Sequence, residues 1–166
     1  MPKIIKDDSV VDDQWQLMAV PESTETVSYE IAPGTLVPLT VWLSQKNKLQ
    51  HRNDIGVWLN SDDAIESLAD DLSRLPIIAI NFPTFMDGRG FSSARLLRER
   101  YGYTGEIRAI GYVMRDQLCY LRRCGFNAYA LQPDIDLTAA LSSLEDFKES
   151  YQSSADQENP LFRRRA

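Results

Sequence analysis

The stretch "PIIAINFPTFMDGRGFSSARLLRERYGYTGEIRAIG", residues 76–111, decides the fold class. It opens on an apolar run, "PIIAINF" (76–82), with the length and β-branched content of a strand buried on both faces. A polar loop with two glycines follows. Then "SSARLLRERYG" (92–102) sets Ala94, Leu97 and Tyr101 on one helix face and stops at Gly102. "EIRAIG" (106–111) is a second strand-like run. Strand, helix and strand in this order make a βα unit, because parallel strands need a crossover.

The same pattern extends in both directions. "IGVWL" (55–59) precedes "SDDAIESLADDLSRL" (61–75), whose Ile65, Leu68, Leu72 and Leu75 share a helix face. Asp63 and Glu66 stand there at capping-box spacing. "VMRDQLCYLRRCG" (113–125) predicts a helix with Met114, Leu118 and Leu121 on one face. "FNAYAL" (126–131) predicts a strand, and "DLTAALSSLEDFKESY" (136–151) a last helix. Four consecutive βα units imply an α/β domain with a parallel sheet of about four strands. Half of a (β/α)8 barrel and a small doubly wound sheet both fit. Leu36 to Gln50 reads as a helix on Leu36, Leu39, Trp42, Leu43 and Leu49, with Pro38 in its first turn. A strand over "LVPLTVWL" is the rival reading. The expected organisation is an N-terminal β segment (1–34), an α/β domain (35–151) and a flexible polar tail (152–166). "WQLMAV" (15–20) and "TVSYEIA" (26–32) would form a hairpin or edge flap in the first of these.

Composition narrows the function. The 166 residues are 43% hydrophobic, enough for one core, with a formal net charge of -6. Such an acidic chain is not a general nucleic-acid binder. No apolar run reaches the roughly 18–20 residues that span a bilayer. The N-terminus is acidic where a signal peptide needs an apolar core, so a cytoplasmic protein is expected. Cys119 and Cys124 would point about 140° apart on a helix, which implies two reduced, unpaired thiols. His51 is the sole histidine and lies in a polar stretch, against a His-based triad or metal site. Neither GxxxxGK[ST] nor GxGxxG occurs. No cofactor and no metal are therefore expected.

Ligands of parallel α/β sheets bind beyond the carboxyl ends of the strands. The residues expected there are Asn60, Ser61, Asp62 and Asp63, then Phe82, Pro83, Phe85, Asp87, Arg89 and Ser92. Gly111, Tyr112, Arg115 and Asp116 follow, then Gln132, Pro133 and Asp134. Within "DGRGFSS" (87–93), Gly88 and Gly90 would allow a sharp turn with positive φ. Ser92 or Ser93 would cap the next helix. Helix N–H groups with Arg89, Arg115 and Gln117 would suit an oxyanion or a partner protein. A tight structural loop is the plainer reading. Asp62 and Asp63 read as helix caps, or else as hard-metal ligands. If the protein is an enzyme, Asp87 and Asp116 are its candidate general acid or base, acting on an anionic metabolite. Phe85 and Phe91 beside Arg89 could anchor a partner.

The segment "FPTFMDGRGFSSARLLRERYGYTGEIRAIGYVMRDQLCYLRRCGFNAYAL" (82–131) resembles the centre of a bacterial family of unknown function. Its members are commonly encoded beside assimilatory sulfite reductase and often carry the label "oxidoreductase probably involved in sulfite reduction". The likeness spans roughly residues 35–150. The family pattern falls on Phe82, Phe85, Asp87, Gly88, Arg89, Gly90, Phe91 and Ser92. It continues through Gly105, Glu106, Arg108 and Gly111, then Arg115, Asp116 and Gln117, then Arg123, Cys124, Gly125 and Phe126. The chain departs from many members in carrying Tyr112 after the third strand's glycine. The resemblance implies an accessory role in sulfur assimilation and cysteine biosynthesis, with sulfite reductase, its electron donor or a small oxyanion as partner. It supplies no mechanism. A half-barrel would also expose sheet edges, for which a homodimer is one remedy.

Overall fold

The computed structural model describes residues 2–21, 30–146 and 150–164. The strands are β1 (Lys3–Lys6), β2 (Ser9–Asp12), β3 (Gln16–Leu17), β4 (Thr35–Pro38), β5 (Ile55–Leu59), β6 (Ile77–Phe82), β7 (Glu106–Gly111) and β8 (Ala128–Tyr129). The helices are α1 (Leu39–Leu49), α2 (Arg89–Glu99), α3 (Leu118–Arg123), α4 (Leu137–Leu141) and α5 (Leu161–Arg164). Short 3-10 turns cover Ile65–Leu68, Leu72–Arg74, Arg115–Gln117 and Ser142–Glu145.

The strands form one sheet in the order β2-β1-β8-β7-β6-β5-β4-β3. β3 to β8 are mutually parallel, while β1 pairs antiparallel with both β2 and β8. The sheet is thus mixed and eight-stranded, not a parallel sheet of four. The hairpin was missed because its turn is Asp7-Asp8, with φ of 45° and 64°, where glycine or asparagine is the usual signal. From β3 to β8 the spatial order follows the sequence without reversal. A doubly wound sheet requires a reversal, so the architecture is that of a curled half-barrel with its crossovers on one face.

Alternation along each strand divides the core. Ile78, Ile80, Ile107 and Ala109 face the layer built from Trp42, Leu68, Leu97, Leu118 and Leu121. Ile77, Ala79 and Ile110 face the inside of the curl with Leu36 and Trp58, and half-buried Trp15 packs on them. Each buried Ile or Leu among these contributes roughly 1.5–3 kcal/mol on burial.

The two margins of the sheet are successive parts of one segment. β2 and β3 run in the same direction and are joined by Asp13, Gln14 and Trp15. Asp13 N donates to Pro2 O (2.8 Å) on one side. Gln16 N donates to Gly34 O (2.8 Å) and Met18 N to Leu36 O (2.9 Å) on the other. A link this short spans at most about 14 Å, so the sheet must curl. The ladder from Ser9 runs through Lys6, Ala128, Arg108, Ala79 and Trp58 to Pro38. It returns to the same segment about ten residues further on, the kind of stagger that barrel-like sheets require. No ladder pairs β2 with β3 directly, and in that sense the sheet is open.

Several element expectations need correction. Leu36–Gln50 is not one helix: Thr35–Pro38 is strand, and α1 starts at Leu39. Leu43 is exposed rather than inward. Residues 61–75 bury Ile65, Leu68, Leu72 and Leu75 as the pattern requires, but through two 3-10 turns. Asp71, between these turns, is buried; its carboxylate accepts Trp42 Nε1 (3.0 Å) and pairs with Lys46 (2.9 Å). The last helix is short, α4 followed by Ser142–Glu145, and residues 147–149 of its expected span lie outside the described residues. Most of "TVSYEIA" also lies outside them. Gly102 (φ 61°) and Gly125 (φ 107°) follow α2 and α3 as helix stops. The C-terminal segment lies against α3, with Ser154 Oγ donating to Arg123 O (2.6 Å). No helix among the described residues is long and apolar enough to cross a membrane.

Candidate functional site

The loop between β6 and α2 is fixed at its base and exposed at its tip. Asp87 accepts Arg89 Nε (3.0 Å) and Nη2 (2.7 Å) in a two-toothed ion pair, and its Oδ1 also takes Arg89 N (3.2 Å). Arg89 Nη2 reaches across to Ser61 Oγ (2.9 Å), tying this loop to the one after β5. The Arg89 guanidinium, with Ser61 second, holds the Asp87 carboxyl far below the usual carboxylate range. The pairing favours the ionised form of Asp87. At the tip, Phe85 and Met86 stand 49% and 87% exposed.

Both glycines behave differently from expectation. Neither has positive φ: Gly88 sits at φ -91° as the N-cap, and Gly90 is inside α2. Gly90 is instead a matter of room, since a Cβ there would lie 2.8 Å from Phe82 Cζ. Because α2 begins at Arg89, Ser92 is exposed inside the helix and caps nothing. Phe91 packs edge-on against Phe82 at 5.2 Å and against Tyr120 at 4.9 Å, so it belongs to the packing and not to the rim.

The neighbouring strand ends complete the rim. Asn81 Nδ2 donates to Asn60 Oδ1 (3.0 Å), and Gln132 Nε2 to Gly111 O (2.6 Å). Tyr112 N donates to Phe82 O (2.7 Å), placing the exposed Tyr112 beside the β6 loop. Asp63 Oδ2 takes Asn60 N (2.7 Å) and so closes a loop, not a helix. Asp62, Pro133 and Asp134 are exposed there.

Three expected members lie elsewhere. Arg115 turns away to Ser143 Oγ (2.7 Å) and Ser142 Oγ (3.4 Å) beyond α4. Gln117 Oε1 accepts Met114 N (2.9 Å) and closes its own 3-10 turn. Asp116 lines a cavity beside α3. The two arginines therefore do not converge on one anion.

A charged cluster on the inner face of the curl was not anticipated. Arg108, almost wholly buried, donates Nε to Glu106 (2.8 Å) and Nη1 to Asp13 (2.8 Å), while Lys6 pairs with Glu106 (2.7 Å). A cavity of about 470 Å³ adjoins it, between the β1–β2 hairpin and β7. Its signal was present: residues 106 and 108 put charge at alternate positions of an otherwise apolar strand, hence on one face. Among the described residues, no cluster of three or more His, Cys, Asp or Glu suits a metal ion.

No curated protein and no solved structure matches the chain. A family model does match, over residues 56–162, from the middle of β5 through the whole rim to the C-terminal segment. The chain belongs to the family of bacterial proteins of unknown function DUF934.

Proposed function

We propose that this protein is an accessory protein of assimilatory sulfite reduction that docks sulfite reductase or its electron donor through the rim of strand-end loops. The pathway rests on the resemblance carried by residues 82–131. The mode of action rests on the geometry of the β6 loop. Phe85 and Met86 are exposed on a loop whose base is pinned by Asp87, Arg89 and Ser61. Apolar side chains held out by a rigid base, with an arginine beside them, are the composition of a protein contact. Capture of a free oxyanion is the weaker version. Arg89 is already neutralised by Asp87, and Arg115 is engaged by two serines.

Co-purification of the full chain with sulfite reductase and with its electron donor tests the docking. The wild type is expected to be retained, and Phe85→Ser with Met86→Ser to be released while its melting temperature is unchanged. Clean separation of the wild type from both at micromolar concentration overturns it. Thermal-shift titration with sulfite, sulfate and phosphate is expected to show no response. A deletion strain is expected to grow poorly on sulfate or sulfite and normally on cysteine or sulfide. Equal growth on all four breaks the link to sulfur assimilation.

A further inference from the structure

The apolar centre of the rim is three exposed side chains on neighbouring strand ends, Phe85 and Met86 after β6 and Tyr112 after β7. The loops around them, residues 60–63, 83–89, 111–113 and 130–136, contain five aspartates and one cation, Arg89. Neutralisation among these charges is uneven. Arg89 is engaged by Asp87 through two hydrogen bonds to its carboxylate. Asp87 first, and Asp62 with it, hold the Arg89 guanidinium more firmly protonated than usual. The single positive charge is therefore offset from two sides.

The remaining aspartates keep their charge. Asp63 accepts Asn60 N (2.7 Å), and Asp136 accepts Thr138 N (2.9 Å) and Ala139 N (3.3 Å). These N–H groups stabilise the carboxylates without cancelling them. Asp62 follows β5 and Asp134 follows β8, so they flank the apolar centre on its two sides. Both are exposed and form no ion pair among the described residues. Beyond β8, Lys3 at the start of β1 lies opposite Asp12, so that margin adds no net charge.

An acidic border steers a surface of opposite sign towards the apolar centre and repels one of the same sign. It also disfavours a second copy of this face, because a symmetric contact would set aspartates against aspartates. Building on the docking role of the rim, we propose that its partner presents a basic surface. An apolar socket on that surface receives Phe85 and Met86, and lysine or arginine side chains around the socket meet Asp62 and Asp134.

Border charges act chiefly on the association rate, and central anchors on the dissociation rate. Association of the full chain with sulfite reductase, and separately with its electron donor, is followed by surface plasmon resonance at about 20 and about 300 mM NaCl. The association rate is expected to fall about tenfold or more across that range. Asp62→Asn with Asp134→Asn should lower it about fivefold at low salt and flatten the salt dependence, with the dissociation rate unchanged. Neither carboxylate holds a partner, so this variant should keep the wild-type melting temperature. Asp70→Asn with Glu158→Gln removes the same charge from exposed positions outside the rim and should leave the rate as it is. An association rate independent of salt, or lowered equally by the two double variants, overturns the basic surface and leaves docking standing. No association with either protein at either salt overturns both.

Discussion

At Gly90 the backbone of α2 passes so close to β6 that any side chain must displace the Phe82 ring. Gly90→Ala is expected to destabilise the fold by about 1–3 kcal/mol, read as a lower urea midpoint at unchanged m-value. This position was legible as special but not for the right reason: spacing marked two glycines, and only contact with Phe82 says which one is needed. A few residues earlier, Asp87 sets a pH response. Its folded pKa is depressed, so its contribution is present above the unfolded value near 4 and is lost only as pH falls through the folded value. The Arg89 side-chain Nε–H resonance should accordingly stay constant from pH 7 down to pH 3. A titration centred near pH 4 would show that the pair is not formed in solution. Cys124 illustrates the opposite direction, since burial raises its thiol pKa. It should resist a disulfide reagent at pH 8 in the native chain and react promptly once urea unfolds it.

Strand β7 carries the clearest conflict between local pattern and environment. Arg108 and Glu106 are charged yet buried on the inner face, where they hold Asp13 and Lys6. Arg108→Ala should cost about 3 kcal/mol, because it takes the ion-pair partner from part-buried Asp13 and leaves buried Glu106 with Lys6 alone. Combining Arg108→Met with Glu106→Gln and Asp13→Asn should recover part of that loss, as denaturant titration of both variants would show. Elements with strong apolar periodicity, β5, β6, β7 and α2, could be read directly from their residues. Segments governed by one long-range polar contact could not. Asp71 answers to Trp42 and Lys46 from a distant helix, and nothing in "LADDLSRL" announces it. Likewise Arg115 reads as a rim residue by position, and only the fold brings Ser142 and Ser143 to meet it. Asp87, Arg89 and Ser61 did come together as strand-end geometry requires.

The whole molecule depends on its first eighteen residues more than the repeat of βα units suggests. They cover β8 on one side and β4 on the other. The β8 and β4 edges are thus covered from within the chain, and β2 and β3 become the margins of the sheet. Removing residues 1–18 should leave both edges bare and give concentration-dependent self-association by light scattering, where the full chain gives less. A truncated chain that scatters no more than the full one would show that the shared segment does not protect the edges. The arrangement also has a timetable. β1 is made well before its partner β8, which lies more than a hundred residues further along the chain. At cellular elongation rates it waits on the order of ten seconds for that partner. Until then the β1–β2 hairpin has one edge without its partner, and docking that edge on β8 is a long-range event.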